Sequence, residues 1–370
     1  MAATSFPVAH PLAQQVWAKK LAVEALQACK ASLFIGKDAD SLVHERDELT
    51  KSAGSKVTFG LRSQLVGPGR SGLEVLEGNE EAQTHSTDAL SIELLRHAVK
   101  AQGAMSQQRV PFEMRADAHS GLRDWWADRF DVSLLNQLAG NSFVSDVKYT
   151  GMNAATAPQA DHMILAGGAA NEAALGTNAF TLDLLTKARV RAETATLPIR
   201  PIKIGGMEVY VAFLHPYQVL SIKTNTNTAQ WLDIQKAAMT GGQITKNPIF
   251  TGALGMFDGV VIHGDIRVPW GDTTQRGNRS FSALGAPAAG TTNIARAVLC
   301  GAQAAMIAFG RETPGAGRMK WTEKNTDYDN EIGVAASLIW GVKKTVYTPY
   351  PSGSAVDNAV ITMSSYAVAA

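Results

Sequence analysis

The chain has 370 residues, enough for a large core and, on length, two lobes more readily than one. With 45% hydrophobic residues, 18% charged and a net charge of +1, it has an ordinary globular composition. That balance excludes a field that would steer the whole protein to nucleic acid or an acidic membrane, and two distant cysteines, Cys29 and Cys300, exclude a disulfide framework.

Residues 1–10 read as irregular. Pro11 to Lys30 reads as an amphipathic helix, with Val16, Trp17, Leu21, Ala25, Leu26 and Cys29 apolar. No basic segment followed by an apolar core is present at this end, so no secretion signal is expected. From Lys56 to Leu65, Val57, Phe59, Leu61 and Leu65 alternate with Thr58, Gly60, Arg62 and Gln64. This is a strand with one apolar face. Val66 to Gly72 is a turn-rich tip carrying Arg70. Leu73 to Leu76 is expected to begin a return strand, and Ser91 to Lys100 a helix. A hairpin this long is marginal alone in water, so its apolar face needs cover from its own domain or from another molecule.

Pro111 to Gly140 predicts the longest helix, over 112–138. Pro111 is tolerated in the first turn, and Gly140 is a stop. Its apolar positions, Met114, Ala118, Leu122, Trp125, Trp126, Phe130, Leu134 and Leu138, are mostly four apart. Such a row drifts about 40° per step on a 3.6-residue helix. The helix should therefore be covered from more than one side, as a strut beneath several elements.

Residues 141–180 give no clear assignment. Thr181 to Glu193 reads as a helix with Thr181 as N-cap. Ile202–Ile204 and Met207–Leu214 read as strands around a Gly205-Gly206 turn, the second of them central and buried. A helix is expected over 228–239, a loop over 247–254, a strand over 259–262 and a loop over 264–290. Ile294 to Phe309 reads as a buried helix, about 16 residues and short for a membrane span. Ile332 to Lys344 reads as strand and turn or a bent apolar segment, and Ala359 to Met363 as a closing strand.

Chemistry is sparse. No HExxH, CxxC, GxxxxGK[ST], GxSxG or GxGxxG is present. His44 lies among carboxylates without a second histidine at i+4, and the Asp327 to Gly333 stretch lacks the glycine and glutamate of a calcium loop. Asp161-His162 and His263 are the only residues left for a catalytic reading, and neither place offers a nucleophile. No catalytic, cofactor-binding or metal site is expected.

The segments Lys56–Arg62 (KVTFGLR), Leu76–Glu81 (LEGNEE), Gln108–Phe112 (QRVPF), Leu122–Phe130 (LRDWWADRF), Asn247–Gly255 (NPIFTGALG) and Ile339–Lys344 (IWGVKK) resemble, in order, the Enquatrovirus-like major capsid protein family. That family lies within the tailed-bacteriophage capsid proteins of the Hong Kong 97 fold. The resemblance implies an α+β fold with an N-terminal arm (1–50), an extended loop or E-loop (51–100), a peripheral domain (101–205 and 345–370) holding the spine helix, and an axial domain (206–344). It implies a non-enzymatic protein that self-assembles as hexamers and pentamers into an icosahedral shell around double-stranded DNA. Decoration, scaffolding and portal proteins are the other expected partners, with no membrane and no cofactor. Val57, Phe59, Leu61, Leu65, Arg70 and Trp17 become subunit-interface candidates, and Leu122, Trp125, Trp126, Phe130 and Leu134 spine packing. The founding member of the fold links its subunits through lysine–asparagine bonds. Here the tip carries Arg70, and Lys56 lies near the strand's base, so a non-covalent shell is expected. An encapsulin-type nanocompartment shell and a cytosolic two-lobe enzyme are the alternatives.

Overall fold

The computed structural model describes residues 21–46, 48–51, 54–62, 65, 67–83, 85–109, 113–195, 198–204, 207–225, 253–271, 293–311, 318–328, 330–349 and 355–367. Trp17, the Gly205-Gly206 turn, the expected helix over 228–239 and most of the expected loops over 247–254 and 264–290 lie outside them.

The longest helix runs Met114–Leu138. Its first backbone N–H is met by Gln107 Oε1 at 3.0 Å. Its end is a glycine stop: Gly140 has φ +59, and the Asn141 N–H returns to the Asn136 carbonyl at 2.9 Å. A Cβ on Gly140 would lie 2.7 Å from the Thr156 carbonyl, so space as well as backbone favours glycine here. From Phe130 to Leu138 every side chain is buried, including Asp131, Ser133, Asn136 and Gln137. A helix end buried all round needs partners for its polar groups. Asn136 donates to the Tyr149 carbonyl, and Gln137 to the carbonyls of Thr150 and Asn153. Asp131 accepts from the Cys29 thiol, from the Lys30 and Ala31 amides, and from Arg267. Burial, and then the charge of Asp131, pushes the Cys29 thiol up, so it remains a protonated donor.

The described residues form three sheets. The first is organised on Glu331–Lys344, whose 14 residues serve three neighbours. Met319–Thr326 pairs along 331–338, Ala305–Phe309 along 340–344, and Glu93–Lys100 along the opposite edge at 333–340. Val43–Arg46 and Ile35–Gly36 extend it. In the second sheet the order is Met163–Leu165, Val360–Tyr366, Ile294–Cys300, Met207–Leu214, Val260–Gly264 and Gly255–Phe257, with Ile202–Ile204 also on Met207–Leu214. The third holds Val356–Asp357, Val346–Pro349, His85–Ser91 and Lys56–Arg62. The main apolar cluster joins the long helix, through Leu122, Trp126, Phe130 and Leu134, to Trp340 of the first sheet and to Val211 and Val298 of the second.

Four expectations are corrected. Ile294 to Phe309 is not a helix but two strands, Ile294–Cys300 and Ala305–Phe309, in different sheets. All twelve of their side chains are buried, so the sequence lacks the alternation that would mark strands. Ser91 to Lys100 is not a helix, because Glu93–Lys100 gains eight paired positions on Glu331–Lys344. Leu73 to Leu76 is not the return strand; His85–Ser91 is, with Phe59 opposite Asp88. Finally, Ile332 to Lys344 neither turns nor breaks. The helix Leu182–Thr194 has Thr181 at its N-cap, but the Thr181 side chain makes no capping bond.

Candidate assembly surface

Lys56–Arg62 and His85–Ser91 pair antiparallel, from Lys56 opposite Ser91 to Arg62 opposite His85. The alternating face predicted for this strand is covered from inside the subunit. Val57 and Phe59 are buried among Leu49, Leu90, Ile92, Met306, Ala308 and Tyr347, with the Phe59 ring edge-on to Tyr347 at 6.0 Å. The interface expectation therefore fails for Val57 and Phe59, which belong to the chain's own core. Leu61 continues the register opposite Ser86.

The base of this excursion is clamped. Asp88 accepts from the Val346 amide at 3.1 Å and from Lys343 Nζ, which also reaches the Ala89 carbonyl at 3.1 Å. Asn153 exchanges two hydrogen bonds with the Ser91 backbone and donates to the Val342 carbonyl. These contacts fix the direction in which the excursion leaves the body.

Beyond the base, residues 67–83 form a loop held by its own polar groups. Arg70 donates to Asn79 Oδ1 at 2.7 Å, the Gly67 amide to Glu81 at 2.7 Å, and the Asn79 amide to the Leu76 carbonyl at 3.0 Å. The Arg70 guanidinium is thus turned toward its own loop. Leu65, Leu73, Val75 and Leu76 stand exposed, with Leu73 fully so. The last three were missed as surface residues because an apolar run beside a turn also reads as a strand; their signal was the Gly, Pro and Glu residues around them. Nothing in the local sequence singles out Asp88, Lys343 or Asn153, which act through distant partners.

Beneath lies the rod. Leu122, Trp126, Phe130 and Leu134 are buried, and Trp126, Phe130 and Trp340 form a chain of ring contacts at 5.8 and 4.8 Å. Trp125 is half-buried and stacks on His97 of strand Glu93–Lys100 at 4.3 Å. Burial, then the charge of Arg129, lowers the His97 pKa. Arg129 also lies over the Tyr149 ring at 3.9 Å.

The enzyme alternative names Asp161, His162 and His263. His162 is buried, and burial holds its pKa down. His263 packs edge-on against Phe34 at 5.2 Å and tilted against Phe213 at 5.9 Å. Among the described residues no group of three or more His, Cys, Asp or Glu could hold a metal, and no helix is long and apolar enough to cross a membrane. Both cysteines are free and buried.

A family model described as "Phage capsid protein" matches residues 5–369. The major capsid protein of Pseudomonas phage KPP25 is 28% identical over 368 residues, covering 94% of this chain and 93% of its own length. The capsid of Ralstonia phage GP4 superposes with a TM-score of 0.77 at 30% identity, covering 100% of this chain and 99% of that one. The Cyanophage Pam1 capsid asymmetric unit shares the fold at 17% identity, with a TM-score of 0.67 over 93% of this chain and 94% of its own. The chain belongs to the phage capsid protein family, as a major capsid protein of a tailed phage.

Proposed function

We propose that the chain assembles as hexamers and pentamers into an icosahedral shell that encloses double-stranded DNA, with assembly in the host cytoplasm and no catalytic step. The observation that carries this reading is the loop 67–83: it is ordered by its own hydrogen bonds, yet it presents Leu73, Val75 and Leu76 to solvent. An exposed apolar patch on a clamped projection costs the monomer solubility and gains stability only when a partner covers it. Within this reading, residues 1–50 are the N-terminal arm, residues 51–100 the E-loop and Met114–Leu138 the spine. Residues 101–205 and 345–370 then form the peripheral domain and 206–344 the axial one, with Val360–Tyr366 paired on Ile294–Cys300 across that division.

The Enquatrovirus-like resemblance of the six sequence segments is the finer assignment. Decoration, scaffolding and portal proteins are further partners in this scheme. The shell is non-covalent, since Lys56 is exposed and lacks the burial that would supply a neutral amine. Native mass spectrometry of the purified chain tests the reading: five- and sixfold multiples of the subunit mass support it, and a uniform single-chain mass contradicts it.

A further inference from the structure

His162 is buried, and neither of its ring nitrogens has a hydrogen-bond partner among the described residues. A neutral imidazole carries one donor and one acceptor, so this seat leaves both unmet. The ring ends the short 3₁₀ helix Ala160–His162, and the His162 amide donates to the Gln159 carbonyl at 3.0 Å. Gln159 is tied to Asp357 twice. Its amide donates to Oδ2 at 3.3 Å, and its side-chain carbonyl accepts from the Asp357 amide at 3.4 Å. Asp357 is itself buried against Lys344. Lys344 Nζ donates to Oδ2 at 2.9 Å, while Oδ1 lies 2.8 Å from the same amine as an ion-pair contact and takes no hydrogen bond. One corner of the interior thus holds an imidazole without a partner and a carboxylate oxygen without a donor.

We propose that His162 is a proton-operated release for the strands that moor the projecting excursion: a proton on its ring draws Asp357 away from Lys344 and Gln159. Four charged groups act on the ring. Asp357 lies on strand Val356–Asp357, Lys344 ends strand Glu331–Lys344, Asp161 shares the ring's own turn, and Arg191 comes from the helix Leu182–Thr194. Burial opposes a charged ring most, Lys344 and Arg191 oppose it too, and Asp357 and Asp161 favour it. The closed seat therefore keeps the ring neutral, and a proton taken up below pH 6.5 favours an opened seat in which the ring meets Asp357 or water. Water is close. Ala160 and Met163, on either side of Asp161-His162, line a cavity of about 630 Å³ with Ala157, Pro158 and Arg191. The release reaches the excursion through paired backbone. Asp357 lies opposite Val346, and Thr348 of the same strand lies opposite Thr87 of the return strand. The Val346 amide also holds Asp88 at 3.1 Å. Freeing Asp357 strips Val356–Asp357 from Val346–Pro349 and loosens the base on which His85–Ser91 is paired. The release belongs to the single subunit and needs no neighbour.

Hydrogen exchange of the purified full-length subunit tests this, with rates corrected for the intrinsic pH dependence of amide exchange. From about pH 7.5 to about pH 5, amides of residues 159–163, 346–349 and 85–91 should exchange about tenfold faster, while those of the central strand Met207–Leu214 hold their rates. In His162→Phe, which keeps a ring but cannot take a proton, the acceleration should vanish. Three results would each overturn the release: no acceleration in the wild type, an equal acceleration in His162→Phe, or an acceleration shared by Met207–Leu214, which would mean that acid unfolds the subunit as a whole. Should His162→Phe fail to fold, His162→Gln supplies the same comparison. Should both fail, the wild-type profile decides alone, through whether the three segments speed up apart from Met207–Leu214.

Discussion

Arg296 and Glu172 form a bidentate pair in the interior, with Nε to Oε1 at 2.7 Å and Nη2 to Oε2 at 2.8 Å. The third arm of the guanidinium, Nη1, donates to the Gly140 carbonyl at 2.8 Å and the Ala139 carbonyl at 3.3 Å. The Ser364 hydroxyl completes the carboxylate at 2.6 Å. One cation therefore sits at the negative end of the long helix and ties it to strands Ile294–Cys300 and Val360–Tyr366.

Removing one partner of this pair should cost far more than removing both. Arg296→Met leaves Glu172 buried and unpaired, and should lower stability by about 3–5 kcal/mol in a denaturant titration of the unassembled subunit. Adding Glu172→Gln should recover part of that loss. A double variant no better than the single would show that the helix-end bonds, not the ion pair, carry the effect.

The two adjacent tryptophans of the long helix should behave differently. Trp126 is fully buried against Phe130, so Trp126→Ala should cost about 3–5 kcal/mol. Trp125 is half-buried, and Trp125→Ala should cost roughly 1–2 kcal/mol, read by thermal unfolding. Equal losses would mean that Trp125 is covered in the isolated subunit.

Phe59 and Leu73 separate folding from assembly. Phe59→Asp places a carboxylate in the cluster with Tyr347 and Met306, and should unfold the base of the excursion by circular dichroism. Leu73→Asp changes a fully exposed residue and should shift subunit stability by no more than about 0.5 kcal/mol, while abolishing assembly. A folded Phe59→Asp subunit would return that face to the interface.

Much of this contrast was hidden in the sequence. The long helix was legible, because Gly140 marks its end and 25 residues of helical spacing admit little else. So was Met207–Leu214, a short apolar run between breaks. Ile294 to Phe309 was not, since an unbroken apolar run reads equally as a buried helix. The break lies at Gly301 to Ala304, where a Cβ on Gly301 would lie 2.5 Å from the Arg200 carbonyl and Gln303 takes φ +59. Ser91 to Lys100 misled in the same way; pairing with a strand more than 230 residues onward decided the matter. Period two correctly gave Val57 and Phe59 an apolar face, but local sequence cannot say which neighbour covers a face. Tyr347, nearly 300 residues downstream, does.

Acid should weaken the subunit through buried histidines. Burial lowers the His215 pKa from 6.5 to about 4, against the opposing pull of Asp265, and its ring lies parallel to Trp270 at 5.7 Å. The unfolded chain therefore takes up this proton first as pH falls below 6.5. Stability should fall between pH 6.5 and about 4, by about 3 kcal/mol from this group, and level off below that. Burial also lowers the His162 pKa, which adds loss of the same sign. His215→Phe should flatten part of the slope in melts taken across this range; an unchanged slope would assign the acid loss elsewhere.

Electron microscopy of the expressed wild-type chain tests the shell assignment most directly. The account predicts closed icosahedral particles, or hexameric and pentameric capsomers, in which each projecting loop lies on a neighbouring subunit. A field of uniform monomers, at concentrations where Leu73, Val75 and Leu76 should find cover, would contradict it.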